Sequence, residues 1–547
     1  MRAAVALTPG GRDSLHSRVN ASRSGSTWNT LAGEGPFAAV SDKGHRSPPL
    51  LRRLDDVVVV SGSVSGNSGI FYHLGCDQVE IGTNLDRLAA CISPNSLDRD
   101  SLLHFVWRGR PIAGRTLYAG IHRLGQGEEL VCAPSRRPVV RRVAWNLEKD
   151  SVVGNVEPSA LISETLARIR SAVAQGSGDR AAVLLSGGVD SSLLAAMATQ
   201  SGIDVTGYTV EFDAAYGLNE TSYAQRVAGT LGIEHQTVRL NADKALRLLD
   251  TVLAGSRPRA APAAITQAHL MERIAQEGHQ RVLSGLGADE CFGGYHKSLE
   301  HLAAIAHHLP KYGNDLACLY RLPLSRLLRL RNSLFFGIAE FFNLHELRAI
   351  AVEPGRVHQL ATPDLSFYRG ALASKVDAHP LELMAAHEYA FRLSELLLPA
   401  FGSGVQVPEI EYPFLSSRVY PWASSLGPGL CYWHENGAWW AKRLLRAAAA
   451  KLLPQDIVMR KRQVFLAPLA HWLVEKSWRA RVSAEIADSA FWHLGVLHAH
   501  VRENLLRTIG SYRSVDLEPR WQEQLWVLLA LCAWVNRRPS SAIRLTP

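Results

Sequence analysis

Ala181–Ser192, read as AAVLLSGGVDSS, decides the fold class of this 547-residue chain. A short apolar run ends there in a Gly-rich turn, and a helix-forming run, Leu193–Thr199, follows at once. Adjacent glycines let the backbone approach an anion, and a helix N-terminus supplies unpaired N–H donors, so the pattern predicts a phosphate cradle. Asp190 would repel a phosphate unless it holds Mg²⁺, which bridges to phosphate oxygens. The stretch therefore predicts a strand, a turn and a helix that bind a magnesium nucleotide.

A second Gly-rich turn follows a short strand pattern in Arg281–Tyr295, read as RVLSGLGADECFGGY. Asp289 and Glu290 lie in this turn. Because one aspartate rarely holds Mg²⁺ alone, Asp289 is the predicted second metal ligand beside Asp190. The alternative is a polar turn in which Asp289 caps a helix. The presence of two such turns in one chain favours the metal site.

The two turns resemble the synthetase domain of the asparagine synthetase superfamily, whose members activate a carboxylate with ATP. The resemblance extends over roughly residues 54 to 472 and implies ATP and Mg²⁺ as cofactors, with Asp190 and Asp289 as metal ligands. The residues that it assigns to the nucleotide are Leu185, Ser186, Gly187, Gly188, Val189, Asp190, Ser191, Ser192, Val210, Ser284, Gly285, Leu286 and Gly287.

The resemblance also implies three catalytic residues. Lys442 and Arg462 are expected to stabilise charge that builds on the phosphates and on the tetrahedral oxyanion. Arg462 stands where the family has a lysine, and an arginine cannot donate and recover a proton as a lysine can. Glu409 opens a segment similar to the family's E-x-x-x-P-F-L-D and is the matched acid nearest to the role of general base.

Two departures from the family narrow the expected substrate. The amidotransferring members begin with a catalytic cysteine as the second residue, whereas here that residue is Arg2 and the first cysteine is Cys76. Ammonia release from glutamine is therefore not expected. Leu286 stands where asparagine synthetases carry glutamate and β-lactam synthetases carry tyrosine, and a leucine can neither read a carboxylate nor assist a base.

These departures, with a long helical segment after Tyr295, most resemble the lasso-peptide macrolactam cyclases. The resemblance implies adenylation of a side-chain carboxylate in a ribosomal precursor peptide, followed by attack of the peptide's N-terminal amine. It also implies two partners from the same pathway, a leader-peptide-binding protein and a leader peptidase. The alternatives are an ammonia-dependent or small-amine-dependent ligase of the same fold, and a non-catalytic or RNA-binding relative.

Composition is compatible with these interpretations. Hydrophobic residues make up 47% of the chain and charged residues 20%, as in globular proteins. No apolar run reaches the length of a membrane span. The net charge is +9, but the basic residues are scattered, so nucleic acid is an unlikely partner. Seven cysteines without a C-x-x-C pair indicate free thiols and a cytoplasmic location.

The expected fold class is α/β. Residues 1–53, rich in Ser, Gly, Arg and Pro, are expected to be a variable, partly disordered segment. Residues 54–147 alternate short strand patterns with turns and resemble the family's N-terminal-nucleophile sandwich domain without its nucleophile. Residues 159–547 are expected to form a doubly wound parallel-sheet ATP pyrophosphatase domain, because strand and helix patterns alternate there. A helical insertion is expected at about 296–400.

Overall fold

The structure is a computed structural model, and it describes only part of the chain. The described residues are 5–7, 16–20, 30–31, 50–54, 57–62, 69–75, 78–92, 96–125, 128–133, 136–142, 157–176, 178–294, 340–363, 366, 380–398, 408–435, 438–461, 467–513, 519–538 and 544–546. Of some of these residues only the backbone is described, including all those before residue 57 and Glu409.

Two mostly antiparallel sheets form the N-terminal part of the described chain. Their strand orders are β3-β1-β2-β7-β6-β9 and β11-β10-β5-β4. Apolar side chains from both sheets, such as Ile70 of β6 and Leu130 of β10, share one buried cluster, so the two sheets face each other. The strands, together with β8, which lies outside both sheets, are β1 Val5–Leu7, β2 His16–Asn20, β3 Thr30–Leu31, β4 Leu50–Leu54, β5 Val57–Ser61, β6 Ile70–Leu74, β7 Gln78–Gly82, β8 Ser96–Asp98, β9 Ile121–Leu124, β10 Glu128–Cys132 and β11 Val139–Arg142. Because β2 pairs with β7, part of the first 53 residues extends the first sheet.

Two helices connect this part to the rest of the molecule. They are α1, Leu85–Ile92, and α2, Arg99–Arg108. The side chain of Asp98 caps α2 by accepting a hydrogen bond from the backbone N–H of Ser101 at 2.6 Å. Every residue of α2 from Ser101 onward is buried, and its apolar side chains belong to the same core as those of the parallel sheet. The predicted segments 54–147 and 159–547 therefore share one hydrophobic core.

A five-stranded parallel sheet follows, as the alternation of strand and helix patterns predicts. Its strands are β12 Arg180–Leu184, β13 Asp204–Glu211, β14 Glu234–Arg239, β15 Arg281–Leu283 and β16 Glu409–Glu411, in the order β14-β13-β12-β15-β16. Val183 lies opposite Gly207 of β13 on one side and Leu283 of β15 on the other. The strand order reverses between β12 and β15, and in open α/β sheets such a reversal forms a binding crevice at the carboxyl ends of the strands.

Helices cover this sheet and form the C-terminal part. They are α3 Pro158–Ala174, α4 Val189–Gln200, α5 Thr221–Leu231, α6 Ala242–Leu253, α7 Ala263–Gln276, α8 Ala288–Phe292, α9 Leu344–Ile350, α10 Val357–Leu360, α11 Pro380–His387, α12 Tyr420–Ala423, α13 Pro428–Cys431, α14 Arg443–Ala449, α15 Gln455–Val458, α16 Leu469–Leu473, α17 Lys476–Ala487, α18 Ala499–Ser511 and α19 Pro519–Asn536. A π-helix, Glu388–Leu397, continues α11, and 3₁₀ turns span Ala214–Tyr216, Pro354–Arg356, Pro413–Leu415 and Ala490–Leu494.

Three short strands complete the described elements. A hairpin of β17, Tyr432–Glu435, and β18, Ala438–Ala441, leads directly into Lys442. The last strand, β19 Arg544–Thr546, pairs with β8. The described part of the predicted insertion at 296–400 is helical, and its remainder lies outside the described residues. Among the described helices, none combines the length and the apolar character that crossing a bilayer requires.

Candidate active site

The first Gly-rich turn connects β12 to α4 and is folded around its own serines. The backbone N–H of Ser186 donates to Ser191 Oγ at 3.2 Å, and the N–H of Gly188 donates to Ser186 Oγ at 3.2 Å. Gly187 has a φ of +69°, and a Cβ there would lie 2.6 Å from the carbonyl carbon of Tyr223. Only glycine fits both the conformation and this close approach. The Oγ atom of Ser192 is buried and has no hydrogen-bond partner among the described residues.

The second Gly-rich turn connects β15 to α8 and touches the first. The backbone N–H of Leu286 donates to Ser284 Oγ at 3.3 Å. A Cβ at Gly285 would lie 3.1 Å from the Cβ of Asp190 and 3.2 Å from the backbone nitrogen of Ser191. The absence of a side chain at Gly285 therefore lets the two turns approach each other at the point where the strand order reverses.

Lys442 lies between the two carboxylates that the sequence marks as metal ligands. Its Nζ atom is 2.5 Å from Asp190 Oδ2 and 2.6 Å from Asp289 Oδ1. The residue is 5% exposed. Burial by itself would lower the pKa of the Lys442 ammonium, but the two carboxylates outweigh burial and raise this pKa above its ordinary value. The two carboxylates therefore favour the charged form of the Lys442 ammonium that lies between them.

The backbone of Lys442 is strained. With φ of +63° and ψ of +41°, it is the only residue other than glycine with a positive φ in the described part of the chain. A left-handed conformation costs a residue with a Cβ roughly 1–2 kcal/mol. Such strain persists where the surrounding structure fixes the residue, and it concentrates at functional sites. The strained residue lies at the junction between β18 and α14.

A second cation, Arg460, also contacts the first turn. Its Nη1 donates to the carbonyl oxygen of Ser186 at 2.7 Å, and its Nη2 donates to Glu220 Oε1 at 2.6 Å. Its guanidinium carbon lies 4.0 Å from the centre of the Tyr223 ring. Burial raises the pKa of the Glu220 carboxyl, and Arg460 opposes that rise. Sequence reasoning gave no role to Arg460 or Glu220, although both lie in segments that resemble the family.

The donor set at Asp190 and Asp289 fits Mg²⁺. Both carboxylates come within hydrogen-bond distance of the Lys442 nitrogen, so they lie close enough together to share an ion, which would bind beside the ammonium. The described residues contain no group of three or more His, Cys, Asp or Glu side chains arranged for a metal. Two protein carboxylates completed by phosphate oxygens and water are typical of Mg²⁺ bound with a nucleotide. These two aspartates are the residues that would hold the ion.

The structure places the other predicted site residues as follows. Leu185 lies in the β12-to-α4 connection, Val189 and Ser192 lie in the first turn of α4, and Val210 is a buried residue of β13. Glu409 is the first residue of β16, but its side chain is outside the described set. Arg462 lies outside the described residues altogether. Individual roles for all these residues remain predictions.

Comparison with known proteins identifies the family of the chain. Residues 166–536 match the family described as Asparagine synthase. The chain is 25% identical over 506 residues to an asparagine synthetase (glutamine-hydrolysing) 1 of Bacillus subtilis, covering 88% of this chain and 75% of that one. It is 24% identical over 456 residues to a putative asparagine synthetase (glutamine-hydrolysing) of Mycobacterium bovis, covering 80% and 67%. Among solved structures, an NMN synthetase from Francisella tularensis overlaps 26% of this chain and 60% of its own, at 17% identity and a TM-score of 0.20. Since the family match spans more than half of the residues, the chain belongs to the asparagine synthase family of ATP-dependent ligases.

Proposed function

We propose that this protein is an amide ligase that closes a macrolactam ring in a ribosomal precursor peptide. It adenylates a side-chain carboxylate of the peptide and joins that carboxylate to the peptide's N-terminal amine. The observation that carries the ATP-dependent step is the position of Lys442 between Asp190 and Asp289, at the reversal of strand order. This arrangement gathers two potential metal ligands and one fixed positive charge beside a phosphate-binding turn.

The proposed chemistry has two steps. A carboxylate oxygen of the peptide bonds to the α-phosphorus of ATP, and pyrophosphate leaves. The amine nitrogen then bonds to the acyl carbon and loses a proton, while AMP leaves with the former carboxylate oxygen. Lys442 and Arg460 supply fixed positive charge for the anionic groups, and Mg²⁺, when bound, neutralises the pyrophosphate. Because amine and carboxylate belong to one peptide, a further task of the protein is to hold them together in a reactive pose.

Leu286 supports a peptide over a free amino acid as the substrate. It lies in the second turn, immediately after Gly285, which contacts Asp190, and it packs partly buried against the main core. An apolar side chain offers no partner to the charged groups of free aspartate, and an unpaired charge there would be costly. The chain also inserts several helical elements, between Leu344 and Leu397, into the connection from β15 to β16. Such additional helices agree with a substrate larger than a free amino acid.

The test is to incubate the protein with ATP, Mg²⁺ and the precursor peptide encoded beside its gene. The leader-peptide-binding protein and leader peptidase that we propose as partners are added to the same reaction. We expect a peptide lighter by roughly 18 Da, the mass of the water lost in amide formation, with one AMP formed per ring. Asp289→Asn should abolish both products. Asp204→Asn should leave both products unchanged, because Asp204 lies at the amino end of β13, away from the carboxyl ends of the strands, and its side chain is 75% exposed.

Other outcomes would contradict the proposal. Formation of asparagine from aspartate and ammonia, without a dehydrated peptide, would identify a small-amine ligase. Binding of RNA that weakens steeply between low and physiological salt, with no AMP formed, would identify a non-catalytic relative. Measuring the peptide mass and the amount of AMP in one sample distinguishes a peptide ligase from a small-amine ligase and from a non-catalytic relative.

A further inference from the structure

Arg446 holds the strained turn that presents Lys442. It is the fourth residue of α14 and is 5% exposed. Its Nε donates to the carbonyl oxygen of Ala441 at 2.9 Å, and its backbone N–H donates to the carbonyl oxygen of Lys442 at 2.8 Å. The carbonyl groups on both sides of the left-handed residue are therefore bonded to Arg446.

The same guanidinium also holds the segment that carries Arg460. Its Nη1 donates to the carbonyl oxygen of Arg460 at 3.2 Å and to that of Val458. Arg460 in turn donates to the carbonyl oxygen of Ser186 in the first Gly-rich turn. One buried side chain thus connects the backbone of both cations that contact the nucleotide-binding turns.

We propose that Arg446 is the positioning residue of this site, and that it sets where the Lys442 ammonium and the Arg460 guanidinium lie without contacting the nucleotide. Its functional consequence rests on the ATP-dependent activation proposed above. A buried guanidinium costs free energy unless its N–H groups are paired. Here its Nε and Nη1 groups are paired with three carbonyls from two chain segments, Ala441 on one and Val458 and Arg460 on the other. The planar guanidinium directs several N–H groups at once, whereas a lysine presents one nitrogen, so Arg446→Lys cannot reproduce all these bonds.

The test is a double-mutant cycle on the affinity for Mg·ATP, measured by calorimetry on the full chain. The variants are Arg446→Lys, Lys442→Gln and the double variant, with Arg443→Gln as the control. Arg443 is the neighbouring exposed arginine of α14 and bonds only the carbonyl of Gly429 among the described residues. Thermal unfolding of each variant identifies any variant that fails to fold, and Arg446→Gln is a second substitution at the same position.

If Arg446 acts through Lys442 and Arg460, Arg446→Lys and Lys442→Gln should each bind Mg·ATP roughly tenfold more weakly, and the affinity lost in the double variant should be clearly less than the product of the two single losses. Arg443→Gln should bind as the wild type does. Losses that multiply in the double variant would overturn the proposal, as would a folded Arg446→Lys variant with wild-type affinity.

This measurement is independent of the peptide substrate. If the wild type binds Mg·ATP but does not cyclise the peptide, the proposed function fails while the cycle still tests Arg446. If the wild type cyclises the peptide but the losses multiply, the proposed function stands and Arg446 is only a structural residue. In peptide cyclisation, an Arg446→Lys variant with a lowered kcat and an unchanged KM for peptide would further support the positioning role.

Discussion

Replacing Lys442 separates its charge from the strain in its backbone. Lys442→Ala removes the ammonium and keeps a Cβ in the left-handed conformation, while Lys442→Gly removes the ammonium and relieves the strain. Both variants leave the carboxylates of Asp190 and Asp289, which lie 2.5 and 2.6 Å from the ammonium, without that cation. The comparison thus gives two separate free energies from one position.

The magnitudes follow from the geometry. Removing one partner of a buried ion cluster costs about 3–5 kcal/mol, and we expect the lower end because the side chains of Asp190 and Asp289 are 26% and 19% exposed. At a φ of +63° an alanine is disfavoured relative to glycine, so Lys442→Gly should be more stable than Lys442→Ala by about 1 kcal/mol. Mg²⁺ should restore part of the loss in both variants, because it can take the place of the missing charge between the carboxylates.

The assay is unfolding by urea at pH 7.5, in EDTA and in Mg²⁺, with no nucleotide or peptide present. We expect the order of stability in EDTA to be wild type, then glycine, then alanine, with a larger gain from Mg²⁺ in the variants than in the wild type. An alanine variant as stable as the glycine variant would refute the argument about strain. A wild type that gains as much from Mg²⁺ as the variants would refute the argument about charge.

Three further predictions concern other parts of the molecule. Asp190→Asn should abolish formation of AMP and pyrophosphate while the protein still folds, with a lower urea midpoint because the Lys442 ammonium loses one of its two carboxylates. Asp204→Asn is the unaffected control, and an active Asp190→Asn enzyme would contradict the metal assignment. Gly285→Ala should lower the rate of AMP formation by roughly five- to a hundredfold, because overpacking costs about 1–3 kcal/mol and here pushes the two turns apart. A Cβ at Gly229 meets nothing within 4 Å, so Gly229→Ala should keep full activity. Burial lowers the pKa of His279, whose two ring nitrogens have no hydrogen-bond partner among the described residues. Since the folded pKa lies below the unfolded value of about 6.5, the contribution of neutral His279 to stability is present above that pH and is lost as the pH falls. His279→Phe should therefore reduce the loss of stability that urea unfolding measures between pH 7.5 and 5.5.

The sequence determined the parts of the site that depend on local pattern. A strand pattern, two glycines and a helix start within Ala181–Ser192 predict a strand, a Gly-rich turn and a helix, and these three elements are confirmed. Phosphate binding by this turn stays a prediction. The alternation of strand and helix patterns predicted the parallel sheet, which is confirmed. The helix after the first turn begins at Val189, four residues before the predicted start at Leu193, because Gly188 is extended and Asp190 already lies in the first helical turn. The sequence also marked Asp190, Asp289 and Lys442 one by one.

Only the tertiary structure decided how these residues act together. Lys442 and Asp190 are 252 positions apart, and no spacing in the sequence states that one nitrogen contacts both carboxylates. The left-handed backbone of Lys442 carries no signal in the sequence, because a lysine avoids that conformation unless the surrounding structure enforces it. Likewise, burial of α2 from Ser101 onward in the core of the parallel sheet joins two segments that composition and pattern separate. Local backbone preferences are encoded over a few residues, whereas burial, charge pairing and strain depend on contacts between distant segments, and these exist only in the folded chain.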